Sequence, residues 1–335
     1  MHIDTLDTPT LAADLDAVER NIARVQRYCD EHGIALRPHI KTHKLPELAR
    51  MQVDAGARGI TCQKLGEAEI FADAGFDDIL ISFPIVGAHK VERLRRLAER
   101  VRMCVAVDSD EGAAALEGVG VEVLIECDTG FGRTGVQSPE EAARLAGRVE
   151  RLRGLMTYPA PPGTAAWLSS VLDLIGEVEC VSVGGTPTAR TVHELGIATE
   201  LRVGTYVYGD RACIANASVP LEDCALRVLA TIVSTPTRDR AIVDAGSKAL
   251  TSDLAEGATG HGLLLEQPEA EVYKLNEEHG HIDVSRCEGR PRIGDRVSIV
   301  PNHACGTVNM YDEIVLHRGG EIIETLPIRA RGKLR

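Results

Sequence analysis

The chain has 335 residues, with 50 Asp and Glu against 37 Lys and Arg, giving a formal net charge of −13. No strongly basic segment stands out and only 3% of residues are aromatic, which argues against a nucleic-acid or anionic-membrane surface. No apolar run is long enough to span a bilayer, and Met1–Thr5 lacks the basic and apolar regions of a signal peptide, so a cytoplasmic enzyme is expected.

In chain order, Pro9–Ala13 reads as a strand and Asp16–Glu31 as the first helix. Eight apolar, β-rich runs follow: Arg37–Lys41, Gly59–Cys62, Ile79–Phe83, Arg102–Val107, Val121–Cys127, Leu152–Tyr158, Glu179–Val183 and Glu200–Val203. Helical patterns separate them at Leu45–Ala55, Leu65–Ala74, Ala88–Glu99, Ser109–Leu116, Pro139–Arg148, Thr164–Ile175 and, weakly, Ala189–Leu195. Strands alternating with helices must be parallel, because each needs a crossover. Eight such units predict an α/β fold, a closed (β/α)8 barrel over residues 14–222. After Leu221 the pattern changes to strands without a strong helix: Arg227–Ser234, Arg240–Val243, Glu271–Leu275, Arg296–Val300, Ile314–Leu316 and Ile322–Pro327. Residues 223–335, joined by 1–13, are expected to form a β-rich domain.

Barrel chemistry sits where strands hand over to the following loops. Those ends carry Lys41, Gln63, Asp108, Asp128 with Arg133, Tyr158, Gly184-Gly185-Thr186 and Gly204-Thr205-Tyr206. Arg37, His39 and Lys41 alternate with apolar neighbours and so share a lumen-facing side of their strand. Lys41 is then either a salt-bridged lumen lysine or a desolvated amine able to condense with an aldehyde. The glycine- and threonine-rich ends of strands seven and eight are phosphate-type loops or ordinary turns. Arg133, in a loop with three glycines, could hold a phenolate or carboxylate oxygen or lie in solvent.

The nine cysteines are scattered without a CxxC pair and read as reduced core thiols, Cys305 excepted. Pro301-Asn302-His303-Ala304-Cys305 follows an apolar strand. If that strand continues, His303 and Cys305 face the same way and offer imidazole and thiolate to a borderline divalent metal. The alternative is a buried thiol beside a turn histidine. His2, His32, His89, His193 and His317 read as surface residues. The polar loops Asp244–Lys248 and Asn276–Gly280 could face a pocket or only cap turns.

At these residues the sequence resembles the D-threonine aldolase / D-serine dehydratase family, pyridoxal-phosphate enzymes with an alanine-racemase-like (fold-type III) barrel. The resemblance runs from Thr8-Pro9-Thr10 through Pro38–Lys44, Asp128–Gly135, Arg202–Tyr206, Asp244–Lys248 and Asn276–Gly280 to Pro301–Asn309. It implies that Lys41 carries the cofactor covalently, that Arg133 lies near the phenolic oxygen and Tyr158 near the ring, and that Gly185, Thr186, Gly204 and Thr205 hold the phosphate. Gln63 would belong to the same cofactor pocket. His303 and Cys305 would hold the metal and, with Lys41, do the chemistry. The cysteine points toward zinc, with manganese or magnesium as alternatives. The resemblance further implies a β-hydroxy D-amino acid substrate, a homodimer, and no nucleic-acid or membrane partner. Aldolase and dehydratase outcomes both remain open, as do an amino-acid racemase and a non-catalytic cofactor carrier. One departure stands out: Tyr158-Pro159-Ala160-Pro161-Pro162-Gly163 offers no titratable group after Tyr158, where relatives often have a Gly- or His-containing segment.

Overall fold

The computed structural model describes residues 1–335. Two compact units divide them. One consists of Ala23–Lys41, Pro46–Gly204 and Gly332–Arg335; the other consists of Met1–Ile22, Thr42–Leu45 and Thr205–Arg331. The chain opens with strand β1 (Thr10–Asp14). Then come β2 (Ala35–Leu36), β3 (Ile60–Cys62), β4 (Asp78–Ile81), β5 (Arg102–Val107), β6 (Glu122–Cys127), β7 (Leu152–Thr157), β8 (Cys180–Gly184) and β9 (Glu200–Arg202).

Strands β2 to β9 form one parallel eight-stranded sheet in the order β2-β9-β8-β7-β6-β5-β4-β3. Its two edges meet: His39 bridges Thr61 in parallel, the Thr61 N–H donates to the Pro38 carbonyl at 2.8 Å, and the Arg58 N–H donates to the Leu36 carbonyl at 2.9 Å. The result is the closed parallel eight-stranded barrel that the sequence pattern predicts. Helices that include Pro46–Asp54, Leu65–Asp73, Ala88–Ala98, Pro139–Ala146 and Thr164–Ile175 connect its strands. Ser109 and Ser138 cap two of the connecting helices by accepting from the Gly112 and Glu141 N–H groups.

The run Arg37–Lys41 is not a full strand. Regular pairing is confined to Ala35–Leu36, and Ile40–Thr42 forms a 3₁₀ turn. The physical reason is Pro38. Odd-numbered residues donate toward β9, with Arg37 to Leu201 at 2.9 Å and His39 to Val203 at 2.8 Å. The donor that should face β3 belongs to residue 38, and proline has none. The expected alternation still holds for Arg37 and His39, both buried, whereas Lys41 leaves the strand and projects from the turn.

The lumen is charged. Arg37 is fully buried; its Nε donates to Glu200 at 2.8 Å and its Nη1 to Asp78 at 2.7 Å. Arg153 approaches Glu200 at 3.3 Å and Ser182 donates to it at 2.6 Å. Where β6 meets β7 the register shifts, and Gly154 adopts φ +154°. A β-carbon there would overlap the Cys180 carbonyl. Gly154→Ala is therefore expected to destabilise the protein by about 3 kcal/mol or more, since strain and overpacking act together. Chemical denaturation of the purified variant checks this.

The second unit continues with β10 (Leu226–Thr237), β11 (Arg240–Val243), β12 (Leu263–Leu264), β13 (Glu271–Leu275), β14 (Gly280–Asp283), β15 (Arg296–Val300), β16 (Glu313–Arg318) and β17 (Glu321–Pro327). With β1 they make a nine-stranded sheet along the path β13-β14-β11-β10-β1-β16-β17, with β15 also on β10 and β12 on β15. β1 runs antiparallel to β10 and parallel to β16. Strands β12 and β14 and the short helices Arg211–Ala215, Ser247–Leu250 and Ala304–Val308 are additions to the sequence expectation. His317 is a correction: it lies buried on β16, where burial lowers its pKa, and not on the surface. No helix is long and apolar enough to cross a membrane.

Candidate active site

In the barrel unit, two of the expected cofactor residues converge on the ring of a third, Tyr158. The Lys41 amine lies 6.0 Å from the centroid of Tyr158, the Arg133 guanidinium 4.8 Å from it, and Phe131 meets it edge-on at 5.6 Å. Tyr158 is 36% exposed, so this face is open. Lys41 is oriented from below. Its backbone N–H donates to His39 Nδ1 at 3.4 Å, and His39 Nε2 contacts Gln63 Oε1 at 3.0 Å and Ser82 Oγ at 3.2 Å. A His39 whose Nδ1 accepts must carry its proton on Nε2, facing the Gln63 oxygen. Gln63 thus contacts His39, which in turn accepts from the Lys41 backbone.

The loop carrying Arg133 is built around Asp128. One of its carboxylate oxygens accepts from the Gly130, Phe131 and Gly132 N–H groups at 2.8–3.1 Å. Burial alone would raise its pKa, but these bonds outweigh it and hold the carboxyl below its ordinary range. Arg133 also lies 3.8 Å from buried Glu126, whose pKa burial raises.

At the end of β8, a β-carbon on Gly184 would sit 3.0 Å from the Tyr158 ring, and Gly185 adopts φ +120°. Only glycine lets the backbone lie this close to the ring. Thr186 opens the 3₁₀ turn that follows. Nearby Arg202 is buried; its Nη2 donates to the Thr157 carbonyl at 2.8 Å, while Nη1 has no protein partner. An amine, a fixed guanidinium, an aromatic face and a glycine cradle suit an anionic aromatic aldehyde such as pyridoxal phosphate. Gly204 closes the barrel segment.

In the second unit, His303 and Cys305 come together, though not on a strand. β15 stops at Val300; His303 is the extended residue before helix Ala304–Val308, and Cys305 lies in its first turn. The helix starts there because Asp210 accepts the Ala304 N–H at 3.0 Å. The same carboxylate accepts the Cys213 N–H at 2.9 Å, so it caps two helices. The Cys305 thiol contacts the Thr42 hydroxyl at 3.2 Å and the Thr205 hydroxyl at 3.9 Å. His303 Nδ1 lies 2.6 Å from Asp253. Hydrogen bonding to Cys305 raises the His303 pKa to about 9 against the opposing effect of burial, and Asp253 and Asp210 add to the rise.

No group of three or more His, Cys, Asp or Glu side chains is arranged as a metal cage. Two protein donors, imidazole and thiolate, are fewer than the four of a structural zinc site and would leave positions for water or substrate. The donor set therefore fits a borderline divalent ion at His303 and Cys305. Asp253, Asn302 and Thr42 were not visible as partners from sequence. Only the adjacency of Asn302 to His303 and of Thr42 to Lys41 could have flagged two of them. The polar loops Asp244–Lys248 and Asn276–Gly280 hold each other, with Ser247 N–H on the Asn276 carbonyl at 2.8 Å and Lys248 on Glu278 at 2.8 Å.

Comparison with known proteins places this arrangement. The domain description "Alanine racemase, N-terminal domain" matches residues 13–212 and "Putative serine dehydratase domain" matches 225–317. A D-threonine aldolase from Arthrobacter sp is 34% identical, over 98% of this chain and 93% of that protein. A D-threo-3-hydroxyaspartate dehydratase from Delftia sp. (strain HT23) is 35% identical, over 90% and 92%. The crystal structure of D-threonine aldolase from Filomicrobium marinum superposes with a TM-score of 0.88 at 31% identity, covering 99% of this chain and 98% of that one. Structures of a D-threo-3-hydroxyaspartate dehydratase include a variant with a histidine replaced by alanine. In another, a cysteine two positions further on is replaced, and that one is described as metal-free.

The protein is thus a pyridoxal-phosphate-dependent lyase with an alanine-racemase-like barrel. It belongs to the D-threonine aldolase / D-serine dehydratase family, whose members similar to it include both aldolases and dehydratases.

Proposed function

We propose that the protein is a divalent-cation-dependent lyase for β-hydroxy D-amino acids, cleaving the Cα–Cβ bond to glycine and an aldehyde as a D-threonine aldolase does. The observation that carries this reading is the convergence of Lys41 and Arg133 on Tyr158 in a chain that also brings His303 to Cys305. Bound pyridoxal phosphate supplies the electron sink for charge left at Cα when a bond to it breaks. Lys41 would hold the cofactor aldehyde, and its amine would be the group that moves a proton at Cα. Arg133 would pair with the phenolic oxygen and favour its ionised form. Gly185, Thr186, Gly204 and Thr205 hold the phosphate. His303 and Cys305 would hold the cation, zinc in preference to manganese or magnesium, which would supply Lewis-acid polarisation of the β-hydroxyl.

A second reading is favoured by one residue. Cys305 gives the cation a thiolate, and a dehydratase relative with a cysteine replaced by alanine is described in a metal-free form. In a D-serine dehydratase, Lys41 would take the α-proton and the β-hydroxyl would leave as water, ending in a keto acid and ammonia. The holoenzyme incubated with D-threonine and with D-serine separates the two. Acetaldehyde plus glycine is expected; ammonia plus pyruvate or 2-oxobutanoate would establish the dehydratase instead. EDTA is expected to remove most of the activity and zinc to restore it. Chelator-insensitive racemisation, or no turnover of either substrate with zinc present, would overturn both readings. The functional form is proposed to be a homodimer, which sedimentation equilibrium measures.

A further inference from the structure

We propose that Asp253 is the positioning residue of the cation site, its carboxylate accepting the Nδ1–H of His303 and so presenting Nε2 as the metal donor. The assignment rests on the cation reading above. An ionised carboxylate can only accept, so at 2.6 Å from Nδ1 it selects the tautomer protonated there. The lone pair is then on Nε2, leaving that nitrogen and the thiol of Cys305 as the two protein donors. A carboxylate behind a ligating histidine fixes its ring and raises its basicity.

The surroundings support a built contact. Asn302 is 1% exposed, and its amide donates to the Asp253 carbonyl at 3.0 Å and to the Gly260 carbonyl at 2.8 Å. The Asp253 N–H donates to the Thr251 hydroxyl at 3.2 Å, and Thr251 is itself held at φ +67°, a conformation disfavoured for a β-branched residue. A β-carbon at Gly306 would lie 3.2 Å from the Asp253 carboxylate and 2.9 Å from the Thr251 methyl, so glycine there leaves them room. Side-chain exposures of 47% for His303 and 51% for Asp253 mean that the pair adds little to stability. A strained, clamped loop that yields so little stability is better explained by what it does to His303.

The test uses the full-length holoenzyme. Zinc affinity is measured by chelator competition for wild type, Asp253→Ala, Asp253→Asn, Asp253→Ser, His303→Ala and Cys305→Ala. Cobalt substitution reads the thiolate-to-metal charge-transfer band. Asp253→Ala and Asp253→Ser are expected to bind zinc roughly 10–100-fold more weakly. Asp253→Asn, whose amide oxygen can accept the same N–H, should keep most of the affinity. At saturating cobalt the thiolate band should persist in all three, with cofactor content unchanged. Wild-type affinity in both Asp253→Ala and Asp253→Ser, while His303→Ala and Cys305→Ala weaken binding, sinks the Asp253 assignment alone. Loss of the band in Asp253→Ala at saturation would make Asp253 a ligand and overturn its positioning role. If the wild type binds no zinc, the cation reading falls and takes this one with it.

Discussion

Lys41→Ala is expected to give a colourless protein with no covalently held cofactor, and to lower turnover by roughly 10²–10⁴-fold from loss of the proton-transfer group alone. The wild type should be yellow, and borohydride should add the cofactor mass to the peptide that contains Lys41. Geometry selects this lysine over its neighbour. Lys41 sits on the turn after β2, half-buried, with its amine toward Tyr158 and its backbone held by His39. Lys44 adopts φ +57°, is buried, and sends its amine to the Ala330 carbonyl at 3.5 Å. A mass increment on Lys44, or on neither lysine, would refute the assignment. His39→Ala should show the intermediate case, with colour retained but turnover reduced.

Glu200→Ala is expected to cost about 3 kcal/mol, because it removes the carboxylate shared by two buried guanidinium groups and leaves Arg37 only Asp78 and Arg153 only the longer contacts to Glu122 and Glu179. Glu200 is 1% exposed and takes hydrogen bonds from Arg37, Arg153 and Ser182. In a chain this long, the loss should appear as a fall in melting temperature of about 4 °C. Melting within about 1 °C of wild type would show that water replaces the carboxylate freely. Burial alone would raise the Glu200 pKa, but Arg37 and Arg153 more than offset it and hold the carboxyl below its ordinary range. A depressed folded-state pKa means that the stabilisation is present above the unfolded carboxylate value of about 4.3 and is lost as the pH falls through it toward the folded value. Wild type should therefore lose stability below about pH 4.3, and Glu200→Ala should lose less over the same interval. Denaturant midpoints between pH 6 and 3 test this.

Much of the barrel was legible because periodicity reports burial. Arg102–Val107 and Thr164–Ile175 occupy the residues their patterns mark. The failures share a cause: local pattern cannot see a missing donor or a distant cap. Pro38 lacks the one N–H that β3 would receive, so the Lys41 strand ends early. Asp210 captures the Ala304 N–H from 94 residues away, so His303 and Cys305 sit at a helix start and not on a strand. They still meet, because an N-cap and a first-turn residue are also close in space. Asp253 lies 50 residues from His303 and belongs to no motif, so no spacing argument could pair them.

The first strand of the chain is also an interior strand of its sheet, lodged between β10 and β16. On the ribosome this has a kinetic consequence. Thr10–Asp14 is made ~300 residues before its parallel neighbour Glu313–Arg318, about 15–60 s at common elongation rates. Both of its edges are open until Leu226–Thr237 is made, and one stays open until Glu313–Arg318 follows, leaving a template for pairing with other chains. In the barrel, β3 to β9 each pair with a strand made next to them in sequence, and only β2 waits for a distant partner, β9.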